Sequence, residues 1–228
     1  YEEPKYLSET RAFSTSKYES MLAVEDDFWK ILTSPTVASK RWIYEQYDSQ
    51  VRTNTVNIKG DAAIIRIKEI PGKAIAVTTD CNSRYAYLNP YYGGMSAVCE
   101  AARNVACTGA TPVAITNCLN FGNPYDPEVY WQFREAIRGI GDACRALDTP
   151  VTGGNVSFHN ESKKSAIYPT PTIGMLGIID DISKIMTADF KNSGDDIYIL
   201  GNEREEIGGS EYLKLIHDVI SGDAPVVN

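Results

Sequence analysis

Zinc, disulfide and membrane chemistry are all poorly supplied in this chain. It has only two histidines, His159 and His217, and five cysteines, at 81, 99, 107, 118 and 144. No two cysteines form a CxxC pair and their number is odd, so neither a zinc set nor a disulfide framework can be assembled. A reduced, cytoplasmic setting is the expectation. No apolar run approaches the length needed to cross a bilayer, and the opening residues Tyr1-Glu-Glu-Pro-Lys5 are unlike a secretory signal, so no membrane partner is expected. An initiator Met is also missing, and we expect the chain to be a piece of something longer. Basic surplus is absent too. With 22 Lys and Arg against 30 Asp and Glu, the net charge is −8, which argues against a nucleic-acid partner. A small anionic ligand stays compatible, because backbone donors, a few cationic side chains and bound Mg²⁺ can make a positive pocket in an acidic protein.

What the sequence does hold is ordinary globular material, 43% apolar and 23% charged over 228 residues, enough for one or two domains with a true core. Residues 1–24 are polar and weakly periodic, and are read as an extended arm. Val24 to Leu32 and Thr36 to Tyr47 read as two helices broken at Ser34–Pro35. Ala62 to Lys68 and Lys73 to Thr79 are β-rich runs about a Pro71–Gly72 turn. Gly94 to Thr108 reads as a small-residue helix stopped at Gly109. Pro112 to Thr116 is the next strand.

Pro127 to Leu147 carries the clearest helical stripe: Phe133, Ala136, Ile137, Ile140, Cys144 and Leu147 recur at steps of three and four, behind an Asp126–Pro127 start. Val151 opens a short strand and Thr172 to Ile179 forms another. Asp195 to Leu200 followed by Ser210 to Ile220 reads as the first strand and helix of a second domain. The expected division is an arm with linker helices at 1–50, an α/β domain at 51–180 and the beginning of a further α/β domain at 181–228.

Two polar runs stand out, each behind an apolar strand-like stretch. Thr152-Gly-Gly-Asn-Val-Ser157 offers glycines that admit positive φ and close ligand approach, an amide oxygen at Asn155 for a cation, and a hydroxyl at Ser157 for a phosphate oxygen. Asn117-Cys-Leu-Asn-Phe-Gly-Asn-Pro124 sets three amides around one glycine. Both are read as loops at strand ends of an α/β sheet, where ligands bind. A plain tight turn with an Asn cap is the structural alternative for Gly153–Gly154. His159 is either a surface loop histidine or near the ligand, and Asp80 with Arg84 is a candidate ion pair, structural or functional.

Taken in order, Thr79-Asp-Cys-Asn-Ser-Arg-Tyr85, Glu100-Ala-Ala-Arg-Asn104, Cys107-Thr-Gly-Ala110, Asn117 to Pro124, Pro150 to Ser157 and Pro169-Thr-Pro-Thr-Ile-Gly174 resemble phosphoribosylformylglycinamidine synthase, in its synthetase subunit or domain. Gly208-Gly-Ser210 fits the domain that follows. The resemblance implies an aminoimidazole ribonucleotide synthetase-like N-terminal α/β domain with a four-stranded sheet, here from the second of two internal copies, plus the start of the C-terminal α/β domain. It also implies an ATP-dependent ligase of purine biosynthesis. In that reaction the amide oxygen of formylglycinamide ribonucleotide is phosphorylated, and ammonia released from glutamine displaces the phosphate to give the amidine.

Carried over position by position, the resemblance makes Asn117 and Gly154 nucleotide contacts, Asn155 a Mg²⁺ ligand and Ser157 a substrate contact. The cofactors implied are ATP and Mg²⁺. The implied partners are a glutaminase subunit or domain and the first synthetase copy, or a second copy of this chain when it is alone. The family's catalytic histidines lie in the first copy, so no catalytic residue is expected here. Asn117 stands where the family usually has Asp, which removes a negative charge. A non-catalytic, structural half of the same enzyme, or a related aminoimidazole ribonucleotide synthetase, is the alternative.

Overall fold

The computed structural model describes residues 1–14, 16–19, 21, 23–202 and 204–227. Six strands, β1 (Thr55–Asn57), β2 (Ala63–Arg66), β3 (Ala74–Asp80), β4 (Thr111–Asn120), β5 (Val151–Ser157) and β6 (Thr170–Ile179), form one sheet in the order β1-β2-β3-β6-β4-β5. All neighbours run antiparallel except β4 and β5, which are parallel. The expected α/β class holds. The four longest strands, β3, β6, β4 and β5, make one continuous set, and the three-residue β1 and four-residue β2 extend it at one edge.

Two long helices lie on one side of this sheet, α6 (Pro90–Cys107) and α7 (Pro127–Leu147). Each begins as its sequence dictates. Asn89 caps α6 by accepting from Tyr92 N at 3.2 Å, and Asp126 caps α7 by accepting from Glu128 N at 2.9 Å, with proline next in both. α7 ends on Asp148 in the left-handed conformation, φ 53°. The helices meet at glycines. A Cβ on Gly139 would lie 2.9 Å from the Tyr91 carbonyl carbon and closer still to its oxygen, and one on Gly94 would lie 3.1 Å from the Ala136 carbonyl carbon. That approach lets Ala97, Ala101 and Val105 of α6 and Ala136, Ile140 and Ala143 of α7 join one core with Ile64, Ile115, Ile173 and Met175 of the sheet.

Burial alternates along the strands. In β6, Pro171, Ile173, Met175, Gly177 and Ile179 are buried, and the residues between them are not. None of the opposite, outward residues of β3, β4 and β6 is buried. This outward face is graded. Ile75, Val77, Leu176 and Ile178 share one end, and Thr79, Thr116, Cys118, Asn120, Thr170 and Thr172 share the other.

Several expectations change. Residues 1–24 are not an extended arm: α1 (Lys5–Arg11) and α2 (Ser16–Glu19) are helical, and Leu7 is fully buried. Tyr6 stacks on Tyr87 with ring centroids 4.7 Å apart and donates its hydroxyl to Tyr87 O at 3.0 Å, which anchors α1. α3 (Val24–Leu32) is as expected, whereas Thr36 to Tyr47 keeps only the four-residue α4 (Arg41–Tyr44). A further helix, α5 (Ser83–Leu88), precedes α6.

Asp195 to Leu200 forms no strand: among the described residues no other segment pairs with it, and Ile197, Tyr198, Ile199 and Leu200 are 76 to 96% exposed. Downstream, α8 (Glu211–His217) is shorter than expected and is docked. Leu213 is fully buried, and Asn89 Nδ2 donates to Asp223 Oδ1 at 2.9 Å.

Candidate functional site at the edge of the sheet

Both polar runs are strand rather than loop over the candidate residues. β4 continues through Asn117 to Asn120, and Thr152 to Ser157 is β5 itself, the edge strand. The parallel ladder pairs Asn117 with Gly154, Cys118 with Asn155, and Asn120 with Ser157. All four candidates therefore sit side by side on two adjacent strands.

Alternation then divides them between two faces. Asn117 lies in the same set as the buried Ile115 and Leu119, on the helical side. Asn155 and Ser157 fall with Cys118 and Asn120 on the outward side, at its polar end. Gly154 joins the two sets. Its φ is +149°, and a Cβ there would lie 2.9 Å from Asn117 Cγ and closer still to Asn117 Oδ1 and the carbonyl oxygen. A side chain is excluded at this point, so the two backbones approach closely, which is why glycine stands there. Gly153 has open space around the same position and no such requirement.

The far end of β5 is tied down by hydrogen bonds. Phe121 N donates to Ser157 O at 3.0 Å, and His159 N donates to Gly122 O at 2.9 Å. Phe121 is fully buried and meets Phe133 edge-on with centroids 5.3 Å apart, so this turn is pinned to the core. His159 is exposed, holds φ 60°, and has Tyr125 as its ring neighbour at 6.2 Å. The cleft of about 830 Å³ lined by Tyr6, Tyr87, Glu128, Gln132 and Tyr168 contains none of the four candidates. The site is an open surface at a sheet edge.

At the C-terminal end of β3, Asp80 accepts from Thr78 Oγ1 at 2.8 Å and from Asn104 Nδ2 at 2.7 Å. Burial pushes its carboxyl above the ordinary range, and burial followed by the nearby Asp80 charge does the same to Glu100. Burial pushes the neighbouring Cys81 thiol up to about 12, so it is held as the neutral thiol. Arg84 does not pair with Asp80. Its guanidinium Nη2 donates to Glu211 Oε2 at 2.5 Å, a pair with both side chains largely covered, which joins α5 to the start of α8. That assigns Arg84 a structural partner far along the chain, which spacing within one motif cannot reveal.

Comparison with known proteins now adds to the geometry. The family model described as AIR synthase related protein, N-terminal domain, matches residues 59–179, which takes in the whole sheet but β1 and both long helices. The chain belongs to this family. Among curated relatives, the phosphoribosylformylglycinamidine synthase subunit PurL of Salinibacter ruber is 56% identical over 98% of this chain and 31% of its own length. The same subunit of Alkaliphilus metalliredigens is 52% identical over 100% of this chain and 31% of its own. The chain thus spans about a third of the curated relatives it matches.

Solved structures agree. PurLQS from Thermotoga maritima superposes with a TM-score of 0.61 at 33% identity, covering 67% of this chain and 25% of that one. T. maritima PurL complexed with ATP gives 0.59 at 32% identity, again over 67% and 25%. The resemblance to phosphoribosylformylglycinamidine synthase read from the motifs is borne out. The curated relatives are phosphoribosylformylglycinamidine synthase subunits, and one solved relative is a complex with ATP.

Proposed function

We propose that this chain supplies nucleotide, Mg²⁺ and substrate contacts to a ligase that converts formylglycinamide ribonucleotide and ammonia to the formylglycinamidine. The observation that carries this reading is the ladder Asn117–Gly154, Cys118–Asn155, Asn120–Ser157, which gathers four candidates along one edge. Relatives supply the chemical class: T. maritima PurL has been solved in complex with ATP and in complex with FGAR.

An amide oxygen is a weak nucleophile, so such a reaction depends on holding it in line with the γ-phosphate and on stabilising spread charge. The protein's part is positioning. Gly154 gives backbone access without a side chain, and Ser157 offers a hydroxyl to an anionic oxygen. Asn155 presents an amide oxygen to Mg²⁺. Among the described residues no group of three or more His, Cys, Asp or Glu could hold a metal, so a resident all-protein metal cage is not the form expected. One amide oxygen completed by phosphate and water oxygens fits the sparse protein ligation Mg²⁺ accepts, and the ion when bound would neutralise phosphate charge. Ammonia is assigned to a glutaminase partner.

The test uses the complete synthase. Asn155→Ala is expected to raise the Mg²⁺ and nucleotide requirement, and Ser157→Ala the KM for the ribonucleotide, each by roughly tenfold as one hydrogen bond to a charged group is lost. Wild-type constants in both variants would end the proposal. A second reading, a structural half whose nucleotide is static, is favoured by Asn117, which is neutral and faces away from Asn155 and Ser157. Under that reading, labelled nucleotide at this copy survives many turnovers unchanged.

The uncovered face also needs an occupant. Its apolar end, with Ile75, Val77, Leu176 and Ile178, is assigned to a sister domain within the parent enzyme, and to a second copy of this chain when alone. Sedimentation at micromolar concentration should give a dimer; a stable monomer contradicts the assignment.

A further inference from the structure

We infer that Asn160 is a positioning residue that sets the direction in which the Ser157 hydroxyl donates; this rests on the reading of Ser157 as a substrate contact. Asn160 lies just past β5, and its side chain turns back on the strand end. Nδ2 donates to Ser157 O at 2.9 Å, to Phe121 O at 3.1 Å and to Ser157 Oγ at 3.1 Å. Oδ1 stands 3.3 Å from Ser157 Oγ, a longer alternative in which the hydroxyl donates. The backbone is committed as well. Asn160 N donates to Phe121 O at 3.1 Å, and Ile167 N donates to Asn160 O at 3.0 Å. One residue therefore closes β4 and β5 at their shared end and touches the proposed substrate hydroxyl.

The polarity of that contact has a chemical consequence. An amide NH₂ has two hydrogens and no acceptor capacity on nitrogen, so Nδ2 can only donate into Oγ, and with three acceptors in reach Oγ shares one of those hydrogens with a carbonyl oxygen. A serine oxygen that accepts from Asn160 keeps its own hydrogen free for something else. At this rim it is then presented as a donor, the form that an anionic phosphate or amide oxygen needs. Without Asn160, the hydroxyl is free to rotate and its hydrogen has no fixed direction. The left-handed φ of 60° at His159 is the backbone feature that brings Asn160 round to face Ser157.

The experiment is a double-substitution cycle in the complete synthase, read separately as KM for the ribonucleotide, KM for ATP and kcat. Asn160→Ala should raise the ribonucleotide KM about tenfold, the scale of one weakened charged hydrogen bond, with the ATP KM little changed. On a Ser157→Ala background, the same Asn160→Ala change should have at most a small further effect, because the hydroxyl it orients is gone. If the two substitutions multiply independently, Asn160 acts through the fold and the inference is overturned. If Ser157→Ala raises the ribonucleotide KM and Asn160→Ala does not, the inference fails while the reading of Ser157 stands. If Ser157→Ala itself leaves that KM unchanged, the underlying reading fails and the inference with it. Should Asn160→Ala not fold, Asn160→Ser, which keeps a short donor, carries the same cycle.

Discussion

Gly154→Ala is expected to weaken the fold severely, while Gly153→Ala next to it should be nearly silent. The two glycines are indistinguishable as a sequence motif but differ in what surrounds them. At Gly154 the backbone holds φ +149°, a region that side-chain-bearing residues rarely enter, and the added carbon would overlap the Asn117 carbonyl and amide. Backbone strain of roughly 1–3 kcal/mol adds to overpacking of roughly 1–3 kcal/mol, because the Asn117 side chain could turn away but its carbonyl oxygen is main chain of β4 and cannot swing aside. A loss of about 3 kcal/mol or more would remove a large part of a typical domain's stability. Around Gly153 no atom lies within 4 Å of the added carbon and φ is not in the left-handed region, so alanine is accommodated. Urea denaturation of the two variants checks this; equal midpoints would show that β4 and β5 do not approach as described. One consequence concerns function. A lost activity in a Gly154 variant reports on the sheet edge as a whole, so Asn155 and Ser157, whose side chains project outward, are the cleaner probes.

How far the sequence revealed this architecture follows from which forces were local. The bounds of α7 were legible because its cap, its proline and its apolar stripe all lie within Asp126 to Leu147, although Ile137 and Leu147 of that stripe are exposed. β3 and β6 were legible because apolar and β-branched residues run along them. Asn117 to Asn120 reads as a loop because amides are poor strand formers, yet this stretch is held between β6 and β5 and pairing overrides propensity. Gly153–Gly154 reads as a turn for the same reason, although Gly154 marks a close strand approach. Conversely, Ile197 and Ile199 alternate as a strand should, but alternation supplies no partner and the segment stays exposed. The site was found as a set of residues and not as a geometry. Which face each one occupies depends on register with β4, and no spacing within β5 encodes that. Asn160 had a signal, an amide three residues past Ser157, but only the turn through His159 shows that it folds back.

The interface between α6 and α7 gives the other large effect, and here one helix supplies substitutions of opposite sign. In an exposed helix, Gly→Ala stabilises by about 1 kcal/mol, because alanine loses less conformational freedom. Gly141 should behave in this way: the nearest atoms to its added carbon belong to the flexible Arg145 guanidinium, at 3.4 Å. Two residues earlier, Gly139 faces α6, and its added carbon would overlap the Tyr91 carbonyl. Tyr91 cannot easily yield, since its hydroxyl donates to Asp142 Oδ2 at 2.8 Å and Arg138 lies over its ring at 3.9 Å. Alanine there has to push the helices apart, opening the packing of Ala97, Ala101 and Ala136 that their closeness allows. Overpacking of this kind costs about 1–3 kcal/mol and more where backbone must move. Against the propensity gain, Gly139→Ala should therefore lose about 2 kcal/mol or more, and Gly139→Val, with a β-branch and no such gain, should lose more again. Thermal unfolding separates the cases: Gly141→Ala melts above the parent and Gly139→Ala below it. If both rise together, the helices are not in glycine-mediated contact, and the core that supports β4 and the site edge must be packed in some other way.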